Sequence, residues 1–456
     1  MAQGEGYVRE EADVNRRPSI AFGFLALIAL GAVLLATPWA QAAGDGEWGD
    51  PLASLFTAFS AVCVTGLTVV DIGSTYSLAG QIVLLVLVEI GCLGLMTCGT
   101  FLLIAVGRRL SLSREFTLMN AYGVAQVKGL RGLICWVVGS MLFIESIGAF
   151  ALWFHFREVY PSIFYSIMGF CNAGFGLEPD SLSSFADCTG FVIVMAVLTL
   201  LGGTGFLVLY NLCTYRLAKR PSGARGRLTL HTRVVLRFSM WLLLIAFVIF
   251  LLAEWKGVLS GMPPLKKFVV AFYQAVTPRT CGFSITPTES LTPLTRFTYA
   301  FLMFIGGGPG SAAAGIKVTT FAVLIYTWVA MCRGETETVI SNRVVPMDIV
   351  RESIVILMAL IAFVALVVGA LLVTESAAVR SGAVESNSLF FEAVSAITTT
   401  GLSVGSTTRD LSTSGKFVIM VAMFIGRLGA LTVVLMIGDR ESTRRVRYPS
   451  EELVVG

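Results

Sequence analysis

Ser60-Ala-Val-Cys-Val-Thr-Gly66-Leu67 is the first of four segments in which small and polar residues lead to a glycine followed by an apolar residue. The others read Met168-Gly-Phe-Cys-Asn-Ala-Gly174-Phe175, Val276-Thr-Pro-Arg-Thr-Cys-Gly282-Phe283 and Ser395-Ala-Ile-Thr-Thr-Thr-Gly401-Leu402. Their glycines are spaced 108, 108 and 119 residues apart. A single turn of this kind is ordinarily just a tight loop between two helices. Four copies at nearly equal spacing indicate an internal repeat.

Each glycine segment follows a moderately apolar stretch of helical character that is too short to cross a membrane. These stretches are Leu52–Val62, Pro161–Phe170, Lys267–Val276 and Ser388–Ile397. The first contains Phe56-Thr-Ala-Phe-Ser-Ala-Val62, and the fourth contains the similar Phe391-Glu-Ala-Val-Ser-Ala-Ile397. The sequence therefore predicts a unit of span, short helix, glycine loop and span, used four times.

The composition excludes an ordinary water-soluble domain, because 55% of the 456 residues are apolar and only 14% are charged. Apolar runs near the roughly 20 residues needed to cross hydrocarbon recur along the whole chain. We interpret eight of them as transmembrane helices: Ile20–Trp39, Ala79–Val106, Gly132–Phe154, Phe191–Tyr215, Val234–Ala253, Tyr299–Ala330, Ile349–Val373 and Lys416–Ile437. The first run is too long for the apolar part of a signal peptide, so a retained helix is predicted.

Basic residues are concentrated after alternate spans. They are Arg108, Arg109 and Arg114; Arg216, Lys219, Arg220, Arg225, Arg227 and Arg233; and Arg440, Arg444, Arg445 and Arg447. By the positive-inside rule these segments are cytoplasmic. We therefore expect a protein of the cell inner (plasma) membrane with both termini in the cytoplasm. Retention on the cytoplasmic face explains the basic loops better than nucleic-acid binding does.

Few residues suit metal-dependent or covalent catalysis. The nine cysteines form no CxxC pair, and the two histidines are His155 and His231. We therefore predict no disulfide framework, no zinc site and no covalently bound cofactor. The absence of a histidine cluster, paired acid motif or nucleophile constellation argues against an intramembrane enzyme.

Four non-helical loops at membrane depth should converge. Irregular backbone there is tolerated only where protein or a water-filled cavity satisfies its polar groups. Convergence gives a ring of carbonyl oxygens that can replace the hydration shell of a cation. Glycine permits the backbone angles that such loops require, and short helices ending at the centre would add the negative ends of their dipoles.

At these positions the chain resembles the Trk/Ktr/HKT potassium transporter superfamily, from about Ile20 to its C-terminus. The most specific pieces are Ala61-Val-Cys-Val-Thr-Gly66-Leu67, Asn172-Ala-Gly174-Phe175, Val276-Thr-Pro-Arg-Thr-Cys-Gly282-Phe283 and Ile425-Gly-Arg-Leu-Gly429. The final Arg447-Tyr-Pro-Ser-Glu-Glu452 resembles the KtrB type, and the sequence lacks the additional N-terminal hairpin of TrkH-type members.

The resemblance implies an all-α membrane protein with one potassium selectivity filter per subunit. The filter residues carried over are Val64, Thr65 and Gly66; Asn172, Ala173 and Gly174; Thr280, Cys281 and Gly282; and Thr399, Thr400 and Gly401. Family members often have alanine where this chain has Cys281. The resemblance also implies a homodimer in membrane lipid and a cytosolic KtrA-like RCK ring, which binds ATP or ADP and docks on the inner loops. It leaves open whether sodium is required.

The sixth span contains a run that cannot form an uninterrupted helix, Gly306-Gly-Gly-Pro-Gly-Ser-Ala-Ala-Ala-Gly315-Ile-Lys317. A phosphate loop is a poor interpretation, because the GK[ST] ending is absent and the run lies within an apolar span. In the family this segment obstructs the pore below the filter. The expected gate residues are Gly306, Gly307, Gly308, Gly310, Gly315, Lys317 and Arg427, and partial deletion of the run is expected to raise uptake.

Arg427, Glu392, Glu89 and Glu145 are charged residues expected at membrane depth. An unpaired Arg427 in the last span would be costly, so we expect it to face the pore or a buried acid. Its role is either a structural salt bridge or, as the family implies, an electrostatic barrier beneath the filter. Glu392 is its candidate partner or a support of the filter, and Glu89 and Glu145 are expected to serve helix packing or filter support.

These interpretations divide the chain into a cytoplasmic tail at 1–17, units at 18–115, 116–230, 231–345 and 346–440, and a second tail at 441–456. The third unit carries the broken helix. The competing function is a secondary transporter of a small solute, but such transporters usually show two inverted halves rather than four parallel copies.

Overall fold

The computed structural model of the protein describes residues 17–42, 46–94, 130–215 and 228–429. The expectations for both tails, for the inner end of the second span and for most of the basic connections fall outside these residues. Within them the chain is almost entirely helical, with one two-stranded antiparallel hairpin of β1 (Val339–Ile340) and β2 (Arg343–Val344).

The first two units share a long helix, a short helix and a second long helix in that order. The first contains α1 (Arg17–Ala36), a 3-10 turn (Pro38–Ala40), α2 (Pro51–Val62), α3 (Ile72–Thr75) and α4 (Leu78–Leu93). The second contains α5 (Leu130–Phe156), α6 (Val159–Phe170), a 3-10 turn (Ser183–Phe185), α7 (Thr189–Thr204) and α8 (Phe206–Thr214). In each, a short helix leads into the glycine loop and a longer helix leaves it.

The third and fourth units repeat this order. The third contains α9 (Leu230–Glu254), α10 (Pro264–Val276), a 3-10 turn (Thr288–Ser290), α11 (Pro293–Phe304) and α12 (Val318–Cys332). The fourth contains α13 (Met347–Thr374), α14 (Ser376–Arg380), α15 (Ser386–Ile397), α16 (Thr407–Asp410) and α17 (Thr413–Leu428). The short helices α2, α6, α10 and α15 end at the residues expected from the sequence and begin one to three residues earlier.

Helix starts are fixed by the same device in three units. The hydroxyl groups of Ser77, Thr292 and Ser412 accept hydrogen bonds from backbone N–H groups at the start of α4, α11 and α17. Such a cap satisfies one of the N–H groups that a helix start leaves without a partner. The caps fix where the chain turns back into a helix after each glycine loop.

Length and composition alone qualify three of the described helices as membrane spans: Gly132–Phe156, Leu230–Glu254 and Met347–Thr374. A fourth is added if α7 and α8, bent by 97°, are counted as one span. Shorter apolar helices, among them Leu78–Leu93 and Val318–Cys332, accompany them. The count of eight spans therefore remains a prediction.

The span expected over Phe191–Tyr215 is bent. Gly205 has φ 98° and separates α7 from α8. The sixth expected span is interrupted over residues 305–317, between α11 and α12. These two interruptions lie against each other, as described below.

Apolar side chains occupy both the interior and the outer surface. Residues of the first two units, with a few of the third, form one large buried cluster, and residues of the last two units with part of the first form another. Large apolar side chains are also exposed along the long helices, for example Phe143, Phe150, Leu252, Leu366 and Val373. An exposed apolar surface this extensive suits contact with lipid rather than water.

Candidate ion-conduction site

The four glycine loops share one backbone conformation. The residue two before each glycine has positive φ: 54° at Val64, 55° at Asn172, 67° at Thr280 and 46° at Thr399. The glycines themselves have φ values of 89°, 71°, 80° and 88°. Positive φ is unfavourable for residues other than glycine, so its occurrence at four equivalent positions indicates a functional constraint on the backbone.

The four loops meet in a closed ring. A Cβ atom built on Gly66 would lie 2.9 Å from the Cα of Gly174, and one built on Gly174 would lie 3.1 Å from the Cα of Gly282. The corresponding distances from Gly282 to Gly401 and from Gly401 to Gly66 are both 3.2 Å. Any side chain at these positions would collide with the backbone of the next loop. The sequence repeat is therefore also a spatial one.

Carbonyl oxygens point at this ring from the residues just before the glycines. The nearest backbone oxygens to a Cβ built on Gly66, Gly174, Gly282 and Gly401 belong to Ala173, Cys281, Thr400 and Thr65. Each oxygen thus lies against the glycine of the neighbouring loop. This arrangement places four backbone acceptors from four loops around one small space.

Hydrogen bonds from the short helices hold two of the glycines. The Gly66 N–H donates to Ser60 Oγ at 3.0 Å, and the Gly401 N–H donates to Ser395 Oγ at 3.1 Å. Ser60 and Ser395 occupy equivalent positions in the first and fourth loops. Because their hydroxyl groups satisfy the glycine N–H groups, the carbonyl groups of these loops remain free to face the ring.

Three hydroxyl groups in the loops have no hydrogen-bond partner within the described protein: Thr65 Oγ1, Thr280 Oγ1 and Thr399 Oγ1. All three side chains are buried. A buried hydroxyl without a partner is costly, unless a cation or water supplies one. Their concentration in the glycine loops therefore points to a polar species at the ring.

A polar residue nine positions before the glycine supports the loop in three units. The Tyr76 hydroxyl donates to Thr57 Oγ1 at 3.3 Å in the first unit, and the Leu177 N–H donates to the Tyr165 hydroxyl at 3.1 Å in the second. In the fourth unit Glu392 accepts from the Val404 N–H at 3.2 Å. These bonds join each short helix to the chain just beyond its glycine.

Cys281 meets the ring through its backbone only. Its thiol group is fully buried, with Thr199 Oγ1 at 3.2 Å and the Tyr273 hydroxyl at 3.9 Å. The thiol therefore packs between the third loop and α7. The departure from alanine at this position leaves the carbonyl group of Cys281 facing Gly174.

An acidic vestibule opens above the ring. It has a volume of about 370 Å³ and reaches all four loop glycines. Its walls carry four carboxylates and one guanidinium group, those of Asp71, Glu178, Asp180, Glu289 and Arg409. Arg409 is ion-paired with Asp71, which leaves three carboxylates in excess. A cleft lined by one sign of charge raises the local concentration of counter-ions, here cations.

A second set of glycines was not recognised in the sequence. A Cβ atom built on Gly91, Gly202 or Gly426 would collide with the last carbonyl group of the short helix of the same unit, at Val62, Phe170 and Ile397 respectively. Each second long helix therefore lies directly against its short helix. The signal was the repeated pattern of two glycines three residues apart, at Gly91–Gly94, Gly202–Gly205 and Gly426–Gly429.

In the third unit the equivalent glycine, Gly306, faces the non-helical segment 305–317 instead. A Cβ atom there would collide with the Ala314 carbonyl oxygen. The segment folds back on itself, because the Gly306 N–H donates to Ile316 O at 2.9 Å and the Val318 N–H donates to Gly307 O at 3.0 Å. It is thus an ordered loop with its own backbone hydrogen bonds.

The bend at Gly205 is hydrogen-bonded to segment 305–317. The Gly308 N–H donates to Gly203 O at 2.9 Å, and the Phe206 N–H donates to Gly310 O at 3.1 Å. A Cβ atom on Gly205 would lie 2.6 Å from the Pro309 carbonyl oxygen. The N–H and C=O groups released by the two interrupted helices therefore satisfy one another, as membrane burial requires.

Arg427 attaches to the same segment from the fourth unit. Its guanidinium group donates to Ala312 O at 2.6 Å and also to the Gly91 carbonyl oxygen. Lys317 donates to the Ala313 carbonyl oxygen within the segment. Segment 305–317 therefore contacts the second and fourth units directly and the first through Arg427, close to where the short helices end.

Glu392 does not pair with Arg427, so the acid partner considered for this arginine was wrong. Both oxygens of Glu392 accept hydrogen bonds from the chain beyond Gly401, from Ser403, the Val404 N–H and Thr408. The side chain is fully buried. It supports the fourth loop, which was the other role considered for it.

Comparison with known proteins agrees with this geometry. Residues 37–448 match a family described as TrkH, cation transport protein. The chain is 35% identical to the Ktr system potassium uptake protein B of Bacillus subtilis, over 96% of both chains. It is 33% identical to the potassium/sodium uptake protein NtpJ of Enterococcus hirae, again over 96% of both.

The fold has a counterpart among solved structures. The crystal structure of the potassium transporter TrkH from Vibrio parahaemolyticus superimposes with a TM-score of 0.67, covering 92% of this chain and 85% of that one. Its sequence identity is 19%, so this likeness concerns the fold. The family match and the full-length relatives above 30% identity show that the chain is a multi-pass membrane protein belonging to the TrkH family of cation transport proteins.

Proposed function

We propose that this protein is the potassium-translocating subunit of a Trk/Ktr-type uptake system and that the ion passes through the ring of four glycine loops. The observation that carries the proposal is the contact of Gly66, Gly174, Gly282 and Gly401 in one closed ring. Two relatives that match this chain over 96% of their own length are named potassium uptake proteins, which supports potassium as the ion.

The filter consists of the carbonyl groups and hydroxyl groups of the loops. Its residues are Val64, Thr65, Gly66, Asn172, Ala173, Gly174, Thr280, Cys281, Gly282, Thr399, Thr400 and Gly401. Oxygen atoms suit a hard cation, and a ring of carbonyl dipoles can replace its hydration shell. The short helices α2, α6, α10 and α15 end next to the loops, so the negative ends of their dipoles add to the attraction.

Entry is driven by the membrane potential and needs no nucleotide site in this chain. A negative interior is worth roughly 2.3 kcal/mol per elementary charge per 100 mV. The acidic vestibule lies on the side where ions enter and concentrates them before they reach the ring. Whether sodium accompanies potassium is decided by measuring uptake with and without external sodium; the name of the Enterococcus hirae relative makes this comparison worthwhile.

Segment 305–317 is the gate. It lies close to the ends of the short helices and carries Gly306, Gly307, Gly308, Gly310, Gly315 and Lys317. Its backbone is tied to Gly203 and Phe206 on one side and to Arg427 on the other. Opening requires these bonds to break or to exchange, because a folded segment in this place obstructs the path below the ring.

The remaining architecture follows the family pattern. Eight spans in four units surround the pore of each subunit, with both termini in the cytoplasm and the protein in the cell inner membrane. Two subunits form a homodimer with two separate pores. A cytosolic KtrA-like RCK ring binds ATP or ADP and docks on the inner loops near segment 305–317.

The proposal is tested by potassium-dependent growth and rubidium uptake in a cell that lacks its own potassium uptake systems. The intact chain should restore both, whereas Gly66→Ser and Gly174→Ser should weaken affinity or selectivity, because a side chain at either position enters the ring. Gly132→Ser is the matched control, because its Cβ would meet no atom within 4 Å. Absence of rubidium uptake with a ring subunit supplied would favour the small-solute transporter instead.

The regulatory partner has its own test. A co-expressed KtrA-like ring should co-purify with the chain, and ATP or ADP should then change rubidium flux in proteoliposomes. Flux that is the same with either nucleotide, or failure of the ring to co-purify, would remove the ring from the proposal while leaving the filter untouched.

A further inference from the structure

Two glutamates and a cysteine meet behind the second glycine loop. One carboxylate oxygen each of Glu89 and Glu145 and the Cys171 Sγ lie within 4.8 Å of one another. Glu89 is on α4, Glu145 is on α5, and Cys171 directly follows α6. Three elements from two units therefore supply one donor atom each to a common point.

A second thiol adjoins this point. Cys92 is three residues after Glu89 on α4, so both side chains lie on the same face of that helix. The Cys171 thiol donates to Glu145 Oε1 at 3.8 Å, so it already lies against one of the two carboxyl groups. Cys92, Cys171 and Glu145 are buried, whereas Glu89 is only partly buried.

The two carboxyl groups need a cation or a proton between them. One carboxylate oxygen of each lies within 4.8 Å of one of the other. In the part of the chain that the structure describes, neither forms an ion pair with a lysine or arginine. Two ionised carboxylates this close repel strongly away from water, and a cation or a proton between them relieves the repulsion.

The donor set selects the class of cation. Carboxylate oxygens together with thiolate sulfur suit a borderline-soft divalent ion such as Zn²⁺ or Cd²⁺, whereas potassium and sodium prefer oxygen alone. We propose that Glu89, Glu145 and Cys171 form a binding site for one thiophilic divalent metal ion.

Metal binding leaves the net charge of the site unchanged. Without metal, the carboxyl pair with its shared proton carries one negative charge and the Cys171 thiol is neutral. With metal, two carboxylates and one thiolate carry three negative charges, and the divalent ion brings the total back to one negative charge. Two protons leave for each ion that binds, one from the thiol and one from the carboxyl pair.

The metal site lies next to the second glycine loop. Cys171 immediately precedes Asn172, whose φ of 55° begins the second glycine loop. A metal ion on Cys171 would tie that loop to α4 and α5. The site is separate from the ring of glycines, and its binding test below does not depend on transport.

The test titrates Cd²⁺ into the purified full-length chain in detergent and follows the ultraviolet absorption of the cadmium–thiolate bond. The intact protein should bind one tightly held equivalent and release two protons per ion, measured with a pH indicator in weak buffer. Cys171→Ala should abolish the absorption of this equivalent, and Glu145→Gln should weaken Cd²⁺ binding at least about tenfold.

Cys63→Ala is the matched control. Cys63 is buried and directly follows α2, as Cys171 directly follows α6, but it is not a member of the carboxylate–thiol group. It should retain the full absorption. Equal losses in Cys63→Ala and Cys171→Ala, an unchanged titration in Cys171→Ala, or no proton release would overturn the site.

Folding of each variant is checked by size-exclusion chromatography before titration. Should Cys171→Ala or Glu145→Gln fail to elute as a folded protein, Glu89→Gln carries the same expectation of at least about tenfold weaker binding, because its partly exposed side chain tolerates the change. Wild-type affinity in a folded Glu89→Gln variant would exclude the site as proposed.

Discussion

Arg427 is bonded to Ala312 across the gap between the last described helix and the interrupted one, with its guanidinium nitrogen 2.6 Å from the Ala312 carbonyl oxygen. A second nitrogen of the same group reaches Gly91 of the first unit. The charge is thus satisfied by backbone dipoles, and this arginine holds segment 305–317 in place through a hydrogen bond. Because carbonyl groups are shared easily with water or another donor, this bond can be exchanged in the proposed opening of the segment.

Replacing Arg427 should favour the open state. The change Arg427→Gln removes a charge-assisted hydrogen bond worth about 1.5–3 kcal/mol, and about 1.4 kcal/mol corresponds to a tenfold change in an equilibrium. Rubidium uptake per folded molecule should therefore rise by at least about tenfold, and discrimination between potassium and sodium should change if the charge is also a barrier. The measurement is uptake into proteoliposomes at matched protein content.

Arg351→Gln is the control for this change, because Arg351 lies exposed on α13 and makes none of these bonds. It should leave uptake as in the intact chain. A purely structural role for Arg427 would appear as poor expression and a lowered unfolding temperature with no gain in flux. That result would contradict the prediction that Arg427 holds segment 305–317 closed.

Shortening segment 305–317, the proposed gate, provides an independent prediction. Deletion of Ser311–Ala313 removes the carbonyl group that accepts from Arg427, and uptake should rise. Combining the deletion with Arg427→Gln should then add little, because both changes break the same bond. Rubidium uptake by the two single variants and the double variant forms a cycle in which coupling of 0.5–3 kcal/mol is typical of residues in contact. Fully additive gains would show that Arg427 acts elsewhere.

The relation between Arg427 and Ala312 also shows where the sequence stops being informative. The composition of residues 306–315 predicts an interruption, since no helix tolerates so many glycines and a proline. The acceptor for Arg427 could not be predicted, because every residue carries a carbonyl group and only the fold brings Ala312 within reach. An acid such as Glu392 was the natural expectation, yet its oxygens are taken by the chain after Gly401.

The repeated glycine loops could be predicted because they recur at nearly constant spacing. The close packing of long helices on short ones could not be predicted from apolar periodicity. That periodicity is the same whether the backbones of two neighbouring helices are in contact or farther apart. Gly205 shows the difference. It lies in a continuous apolar run, and only the contact of its backbone with Pro309 explains the bend.

Gly202 tests this close packing. A Cβ atom there would collide with the Phe170 carbonyl oxygen, so Gly202→Ala should push α7 away from the second loop. Overpacking of a tight interior typically costs about 1–3 kcal/mol. We expect a lower unfolding temperature and weakened rubidium affinity, measured on the same preparation. The comparison is with Gly190→Ala on the same helix.

Gly190→Ala should behave in the opposite way. No atom lies within 4 Å of a Cβ built on Gly190, and alanine in a helix is favoured over glycine by about 0.5–1 kcal/mol. The control should therefore keep full uptake with an equal or higher unfolding temperature. Similar losses for both glycines would mean that α7 does not lie against the second loop.

Glu392 offers a test of loop support. Glu392→Gln replaces one acceptor oxygen by an N–H₂ group, so one of its bonds to the segment after Gly401 is lost at a cost of about 1–3 kcal/mol. The fourth loop should loosen, and sodium should compete better against rubidium. Glu385→Gln, just before the same helix and making no capping bond, should change neither property. Equal sodium competition in both variants would remove Glu392 from the support of the loop.

Cys281 makes the strongest distinction between a filter built from the backbone and one built from side chains. Its thiol group lies against Thr199, and only its carbonyl group faces the ring. Cys281→Ala keeps that carbonyl group and removes one buried sulfur, so the free energy of unfolding should fall by about 1 kcal/mol while rubidium affinity and sodium competition stay within about twofold. Gly282→Ser, one residue later, should abolish selective uptake. If Cys281→Ala instead relaxes selectivity as strongly as Gly282→Ser at a similar unfolding temperature, the thiol itself contacts the ion.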